Sequence, residues 1–439
     1  MDALLDLRVV DGPVAVAIVA FGALSFLWLI ARLLIPRPRG RGVLLLACAA
    51  LAAPALTAAA HWFLVDAVGV FPTDLPREVL FSNGLALAGI LLAVAVAVRG
   101  GRAALRPRRW AALLAALLGV LALTAQQVNA YYGLNHTVGD LAGSSLARIE
   151  PFESSLERGA APSVPLAQWR PAGALPGTGE LRRVQIPNSV SGFAAREAYV
   201  YLPPAYAAPV RPELPVLVLM AGQPGSPADW LTGGQLRGRL DRFARDHGGV
   251  APVVVVVDPI GSPSANTLCM DTRLGRAEAY LTRDVVPWIA QRLTVASGPR
   301  AWAAGGFSFG GTCSVQLLAK HPELFGAALA FAPEKEPALA KERAKTIDGA
   351  FDGDAAAFDA QVPAHFFAQG GHEGQFLFLA VGSGDEEFLA QAGTVARQAR
   401  EGGADVHLEE VPGEGHSWEM VGEALPVGLE RLAARWRLP

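Results

Sequence analysis

The chain has 439 residues, room for two or three folded units, and is 52% hydrophobic with only 18% charged residues. That apolar excess places part of it in lipid. A formal net charge of −3, with no basic patch interleaved with aromatics, argues against a nucleic-acid partner.

Four apolar stretches, about Val14 to Ile35, Val43 to Val65, Leu80 to Val98 and Trp110 to Val128, approach the ~20 residues a helix needs to cross a bilayer. The third and fourth are near the minimum, but "LALAGILLAVAVAV" and "AALLAALLGVLAL" carry no charge; for either one the alternative is a buried core helix. The first connection holds Arg37, Arg39 and Arg41, and the third holds Arg99, Arg102, Arg106, Arg108 and Arg109. Positive residues in short loops stay in the cytoplasm, so both loops are expected there. The second connection, with Asp66, Asp74, Arg77 and Glu78, and the N-terminus, with Asp2, Asp6 and Asp11 against Arg8, then face outward. Everything after Val128 is expected outside as well. The acidic leader and the three spans that follow it describe a retained helix rather than a cleaved signal peptide. His61 and Trp62 at the outer end of the second span read as an aromatic belt, and Cys48 as a small apolar filler. No span carries the charges of a pump or channel, so the bundle reads as an anchor among membrane lipids.

Residues 130–180 are rich in Gly, Pro, Ala and Ser without periodicity and read as a juxtamembrane connector between a 1–129 bundle and a 181–439 domain. In that domain "RRVQIP" and "EAYVYLPP" read as a hairpin, followed by the apolar runs "PVLVLM", "APVVVVV", "RAWAAGGF", "GAALAFA", "QFLFLAV" and "DVHLEEV". Helical patterns separate most of them, notably "RAEAYLTRDVVPWIAQRL", "CSVQLLAKH", "EEFLAQAGTVARQAREGG" and "EMVGEALPVGLERLAARW". Continuous apolar strands alternating with helices predict an α/β class domain with a mainly parallel, doubly wound sheet.

Within "AWAAGGFSFGGTCSVQLLAKHPELF", Ser308 has Gly306 two residues before it and Gly310 two after. A serine at the bend from a buried strand into a helix is held above the sheet. Glycines on either side, with Gly305 and Gly311 beyond, let strand and helix approach. With 47 glycines in the chain the pentapeptide alone decides little; its place between an apolar run and a helix is what marks Ser308 as a nucleophile.

A serine nucleophile needs a base, and the base a carboxylate to orient it. His416 in "PGEGHSWEM" lies in a glycine-rich loop before the last helix, where the base belongs. His321 reads as closing the nucleophile helix, and His365, His372 and His407 lack this loop context. For the acid, "GSGDEEF" offers Asp385 first, with Glu386 or Glu387 as alternatives if Asp385 only caps the following helix. The oxyanion donors are expected to be the backbone N–H of Phe309 and, from the loop "MAGQPGSPADW", that of Gln223; an ordinary Gly-Pro turn is the alternative for the latter.

The segments "YVYLPPAY", "LVLMAGQPGSPADW", "AYLTRDVVPWI", "GFSFGGTCSVQLLAKHPELF" and "GEGHSWEM" together resemble the esterase D and antigen 85 (mycolyltransferase) branch of the α/β-hydrolases, over roughly Leu181 to Pro439. The whole chain is similar to actinobacterial membrane-anchored members of that family. The resemblance implies Ser308 as nucleophile, His416 as base, and the Gln223 and Phe309 amides as oxyanion donors. Antigen 85 proteins use a glutamate as the acid and related esterases often an aspartate, so "GSGDEEF" fits either branch. The trehalose-binding segments of antigen 85 have no clear counterpart.

Cys269 and Cys313 lie in the outer domain, where an oxidising exterior permits a disulfide; two free buried thiols are the alternative. Clustered histidines are absent, so no metal is expected, and no organic cofactor is implied. Residues Glu334 to Gly374 form an insertion that is either a cap over the pocket or surface decoration. The expected function is extracytoplasmic serine ester hydrolysis on lipid or envelope esters. Acyl transfer to a sugar or lipid alcohol is the close alternative, and a non-catalytic membrane receptor or scaffold the distant one.

Overall fold

The apolar stretches of the first third become four helices: α1 (Gly12–Leu34), α2 (Arg39–Trp62, prolonged as a π-helix to Ala67), α3 (Arg77–Gly100) and α4 (Pro107–Tyr132). In this computed structural model, which describes residues 2–100 and 106–439, each is long and apolar enough to cross a membrane. Arg102, assigned above to a cytoplasmic loop, lies outside the described residues. Small residues let the helices approach: a Cβ at Gly22 would sit 2.5 Å from Leu123 Cβ, and one at Gly89 2.4 Å from Val120 Cγ1. Large apolar side chains such as Leu24, Leu51, Phe81 and Leu118 point outward. Cys48 is exposed on α2, so it fills no gap between helices, contrary to expectation. His61 accepts the Leu75 N–H at 3.3 Å and lies 3.5 Å from Asp74, while Trp62 beside it is exposed at the end of α2. At the end of the bundle where α1 begins and α4 finishes, Val9 N–H donates to His136 O and Val138 N–H to Leu7 O, so the N-terminal segment lies beside the chain leaving α4. At the other end Arg99 donates to the carbonyls of Pro36 and Pro38.

The chain divides into two compact units, Met1–Ser145 with Leu339–Arg343, and Leu146–Ala338 with Ala344–Pro439. The second contains, in order, β1 (Glu150–Pro151), β2 (Glu180–Val184), β3 (Ala198–Leu202), β4 (Val216–Met220), α5 (Leu236–Asp246), β5 (Val253–Val257), α6 (Val286–Arg292), β6 (Trp302–Phe307), α7 (Phe309–Lys320), β7 (Ala327–Phe331), β8 (Phe376–Gly382), α8 (Glu386–Glu401), β9 (Asp405–Val411) and α9 (Trp418–Trp436). Its sheet runs β1-β2-β3-β5-β4-β6-β7-β8-β9, parallel except for β3, which is antiparallel to both neighbours. This is the α/β-hydrolase class expected. β4, β5, β6, β7 and β8 are buried along their whole length, which is why they read as unbroken apolar runs. Helix α5 escaped the sequence reading because Arg and Asp dominate it; its buried face is only Leu236, Leu240, Phe243 and Ala244, with Asp241.

The connector expectation for 130–180 needs correction from Leu146 onward. Glu150–Pro151 pairs with β2 as an outer strand of the sheet, and Ser163–Pro165 pairs with Arg211–Glu213. Trp169 is buried with its indole N–H on Val210 O, and Tyr206 Oη donates to Leu156 O. Such a segment has no periodicity because single apolar residues anchor it one at a time, and only short strand pairings and side-chain bonds satisfy its backbone.

At the junction of β6 and α7 the backbones nearly touch. A Cβ on Gly306 would lie 2.2 Å from the Gly310 carbonyl carbon, and one on Gly310 2.1 Å from Met220 O, so no side chain fits at either position. Every residue of α7 from Phe309 to Ala319 is buried. After β7 the chain turns through Ala332 at φ 45°, and Glu334 is buried with its N–H on Thr312 Oγ1 at 2.9 Å. Burial, and then the facing Glu387 and Glu336, push the Glu334 carboxyl up to about 8, against the N–H of Ala338 that it accepts.

Glu334 is therefore protonated in the folded chain at neutral pH but ionised in the unfolded chain. Its contribution to stability is full below about 4.5 and is lost as pH rises through about 8. Glu334→Gln should flatten the fall of the unfolding temperature across that interval; a fall as steep as the parent's would contradict the assignment.

Candidate active site

Ser308 sits at φ 56° and ψ −116°, a conformation that costs a residue with a side chain about 1–3 kcal/mol and persists only where the surroundings enforce it. They do so here: Ser308 N–H donates to Phe331 O at 2.8 Å, while Ser308 O accepts from the Thr312 N–H at 2.9 Å and the Thr312 hydroxyl at 3.2 Å. The serine hydroxyl is thereby carried beyond the carboxyl ends of the strands.

His416 reaches that hydroxyl, with Nε2 2.9 Å from Ser308 Oγ. Its other ring nitrogen, Nδ1, lies 2.7 Å from Asp385 Oδ2. The network assigns the tautomer: the carboxylate accepts from Nδ1–H, leaving Nε2 to accept from the hydroxyl. Asp385 occupies the N-cap position of α8, yet its side chain makes no capping hydrogen bond and is turned to the imidazole instead. Glu386 and Glu387 are exposed on the first turn of α8. The loops bearing Asp385 and His416 are knitted together, since Gly384 N–H donates to Glu414 O at 2.8 Å and Gly413 N–H to Ser383 Oγ at 2.8 Å. The imidazole is flanked by Phe307, 4.8 Å away centroid to centroid, and Phe388 at 4.3 Å. Trp418 packs on Phe307 and Trp230 on Trp418, filling the space behind the ring.

The remaining histidines considered as bases are engaged elsewhere. His321 bonds Glu278 and Glu323, His365 bonds Gln369, His372 bonds Gln375 and Phe366 O, and His407 bonds Glu409 while stacking on Phe378.

The loop carrying Gln223 packs directly on Ser308: a Cβ on Gly222 would lie 3.4 Å from Ser308 Cβ. Phe309 is the first residue of α7, so its N–H lies at the open end of that helix. The Gln223 side chain is occupied by Ser264 O, and Asp229 holds both the N–H and the hydroxyl of Ser226. Behind this loop lies a residue that sequence reading passed over. Arg196 makes a two-pronged contact to Asp258, at 2.8 Å from Nε to Oδ2 and 2.8 Å from Nη2 to Oδ1, and donates Nη1–H to Gly225 O at 2.9 Å. Asp258 is fully buried and also accepts N–H groups of Arg196, Ile260 and Gly261. Against its burial, those bonds and the Arg196 charge hold its carboxyl below the usual range. The only sequence signal for the pair was an aspartate directly after the all-valine β5.

Cys269 and Cys313 are joined in a disulfide, their Cα atoms 5.5 Å apart, which ties the loop before α6 to α7. Gln316 Nε2 reinforces the tie by donating to Leu268 O at 3.0 Å. No cluster of metal-ligating side chains occurs among the described residues. The insertion from Glu334 to Gly374 folds into three short helices, Arg343–Phe351, Ala355–Asp359 and Pro363–Ala368, around a small core of Ile347, Phe358 and Val362.

Residues 194–432 match the family described as "Putative esterase". An uncharacterized protein of Corynebacterium glutamicum is 32% identical over 404 residues, covering 88% of each chain, so the likeness extends into the N-terminal unit. Among solved structures, a ferulic acid esterase superposes with a TM-score of 0.50 at 16% identity, over 59% of this chain and 99% of the other. An S-formylglutathione hydrolase from Agrobacterium tumefaciens gives 0.48 at 18% identity, over 60% and 98%. With a sheet of this order, a serine at the strand-to-helix bend and a family match over more than half its length, the chain belongs to the esterase family of α/β-hydrolases.

Proposed function

We propose that the protein is a membrane-anchored serine esterase that cleaves carboxylic esters through an acyl-Ser308 intermediate on the outer side of the membrane. One observation carries the reading, the continuous hydrogen-bonded chain Asp385–His416–Ser308 with links of 2.7 and 2.9 Å. As Ser308 Oγ attacks the ester carbonyl, its proton passes to His416 Nε2. Asp385 stabilises the imidazolium and keeps the ring in register. The flanking faces of Phe307 and Phe388 add favourable electrostatics to that cation. The oxyanion meets the N–H groups of Phe309 and Gln223. His416 then returns the proton to the departing alcohol, and water, activated by the same imidazole, frees the acid.

The outer location is supported by chain order. The arginines at positions 37, 39, 41, 99, 106, 108 and 109 all fall between α1 and the first turn of α2 or around the α3–α4 connection. The N-terminal segment and the exit of α4 share the opposite end. A bundle of residues 1–129 would thus deliver the catalytic unit, which begins at Leu146, to the outer face. The tether favours esters of lipids or of the cell envelope as substrates, since these lie within its reach.

Ser308→Ala should lower kcat by about 10⁴ or more and abolish labelling by a fluorophosphonate, with the folded content of the full-length protein unchanged. A variant that still labels would remove the nucleophile assignment. Asp385→Asn should cost about 10⁴ in kcat, because the asparagine stabilises the wrong tautomer. Glu386→Gln, by contrast, should leave kcat near the parent value, and a larger loss there than at Asp385 would reverse the choice of acid. Arg196→Ala should lower kcat by about 10² with little change in KM, since it loosens a loop that bears an oxyanion donor. Arg196→Lys should restore little, as an ammonium cannot make the two-pronged contact. Steady-state kinetics on a short-chain nitrophenyl ester checks all of these.

A further inference from the structure

At the arginine-bearing end of the bundle, α1, α3 and α4 leave a cleft of about 180 Å³ lined by Trp28, Arg32, Val96, Ala97, Arg108 and Leu113, among others. Its walls divide by chemistry: Val96, Ala97 and Leu113 are apolar, while three guanidinium groups border it from two helices. Neither Arg32, Arg108 nor Arg109 forms an ion pair among the described residues, and no carboxylate lines the cleft. Arg32 lies over the Trp28 ring at 5.8 Å. Arg99, by comparison, is consumed in bonds to the Pro36 and Pro38 carbonyls and takes no part.

We propose that this cleft binds the phosphate headgroup of an anionic phospholipid of the inner leaflet. Arginines that border one cleft with no carboxylate among the described residues attract an anion, and a guanidinium fork matches phosphate oxygens in pairs. An apolar wall continuous with membrane-facing helices suits an acyl chain and not a free ion. Basic pockets between spans at the cytoplasmic side take such headgroups for this reason. The site rests on the membrane placement proposed above but not on the esterase chemistry.

The test uses the full-length chain in nanodiscs of phosphatidylcholine with a minority of phosphatidylglycerol, followed by native mass spectrometry of the retained lipid. Retention of phosphatidylglycerol over phosphatidylcholine is expected. Arg32→Gln and Arg108→Gln should each weaken it about fivefold. Arg106→Gln, the same charge change outside the cleft, should weaken it much less; equal losses would overturn the site in favour of diffuse attraction. Displacement of the bound lipid by inorganic phosphate at a similar affinity would reassign the cleft to a soluble anion and overturn the lipid proposal. A chain that enters the discs and keeps both lipids alike overturns the site alone. One that fails to enter overturns the membrane placement with it. Thermal unfolding of each variant beside the parent separates lost binding from lost fold.

Discussion

The left-handed backbone of Ser308 is the constraint on which the catalytic unit depends. A side-chain-bearing residue adopts it only when strand and helix are clamped on either side, and the clamp here is steric. Gly306, Gly310 and the Met220 carbonyl meet at distances that exclude a methyl group. Because β6 and α7 are both buried, the strained bend has nowhere to relax, and packing of the core supplies the energy that holds it. The same bend fixes where the base must stand. A loop at the end of β9 meets it, cross-linked to the end of β8 by Gly384 and Gly413, so Ser308, Asp385 and His416 stand at the ends of β6, β8 and β9 of one sheet, with β7 between the first two.

Around this core the electrostatics fall into two kinds. Asp258 keeps its charge in a buried place because Arg196 and three backbone N–H groups surround it; the pair then extends one more bond to Gly225 and stiffens the loop over the nucleophile. Glu334 lies at the end of β7 with no cation beside it and faces two other glutamates, so it favours its neutral form. A charge at that position would stand near the nucleophile helix without compensation. Burial produces opposite protonation states in the two acids because a guanidinium and three backbone N–H groups converge on Asp258, whereas Glu334 accepts from Ala338 and faces like charges.

The N-terminal bundle follows a different solvent logic. Its helices pack through Gly22, Gly89 and Gly119 and display leucine and phenylalanine outward, the inverse of the catalytic unit, whose core is apolar and whose surface carries the charge. Arginines gather at one end, where Arg99 braces the α1–α2 loop through backbone carbonyls and Arg32, Arg108 and Arg109 border an apolar cleft without an ion pair among the described residues.

Much of this was legible because burial leaves a linear trace. Strands covered on both faces must be apolar throughout, so "VVVVV" and "FLFLAV" announced the sheet, and membrane-length runs announced the bundle. The glycine spacing around Ser308 was readable because a steric exclusion between neighbours in sequence depends on residue type alone. Helix α5 and residues 146–179 were not readable, since the first hides a narrow apolar face among charges and the second packs one residue at a time. Nor could spacing choose among Asp385, Glu386 and Glu387, because the choice rests on which carboxyl faces a ring 31 residues away. Chain order by itself determined the fold class, the nucleophile and the base as expectations, through patterns that local sterics and burial impose. Only the tertiary structure brought Asp385 rather than its neighbours against His416, built the Arg196–Asp258 brace and paired Cys269 with Cys313, because those depend on contacts between segments whose separation in sequence carries no information about distance in space.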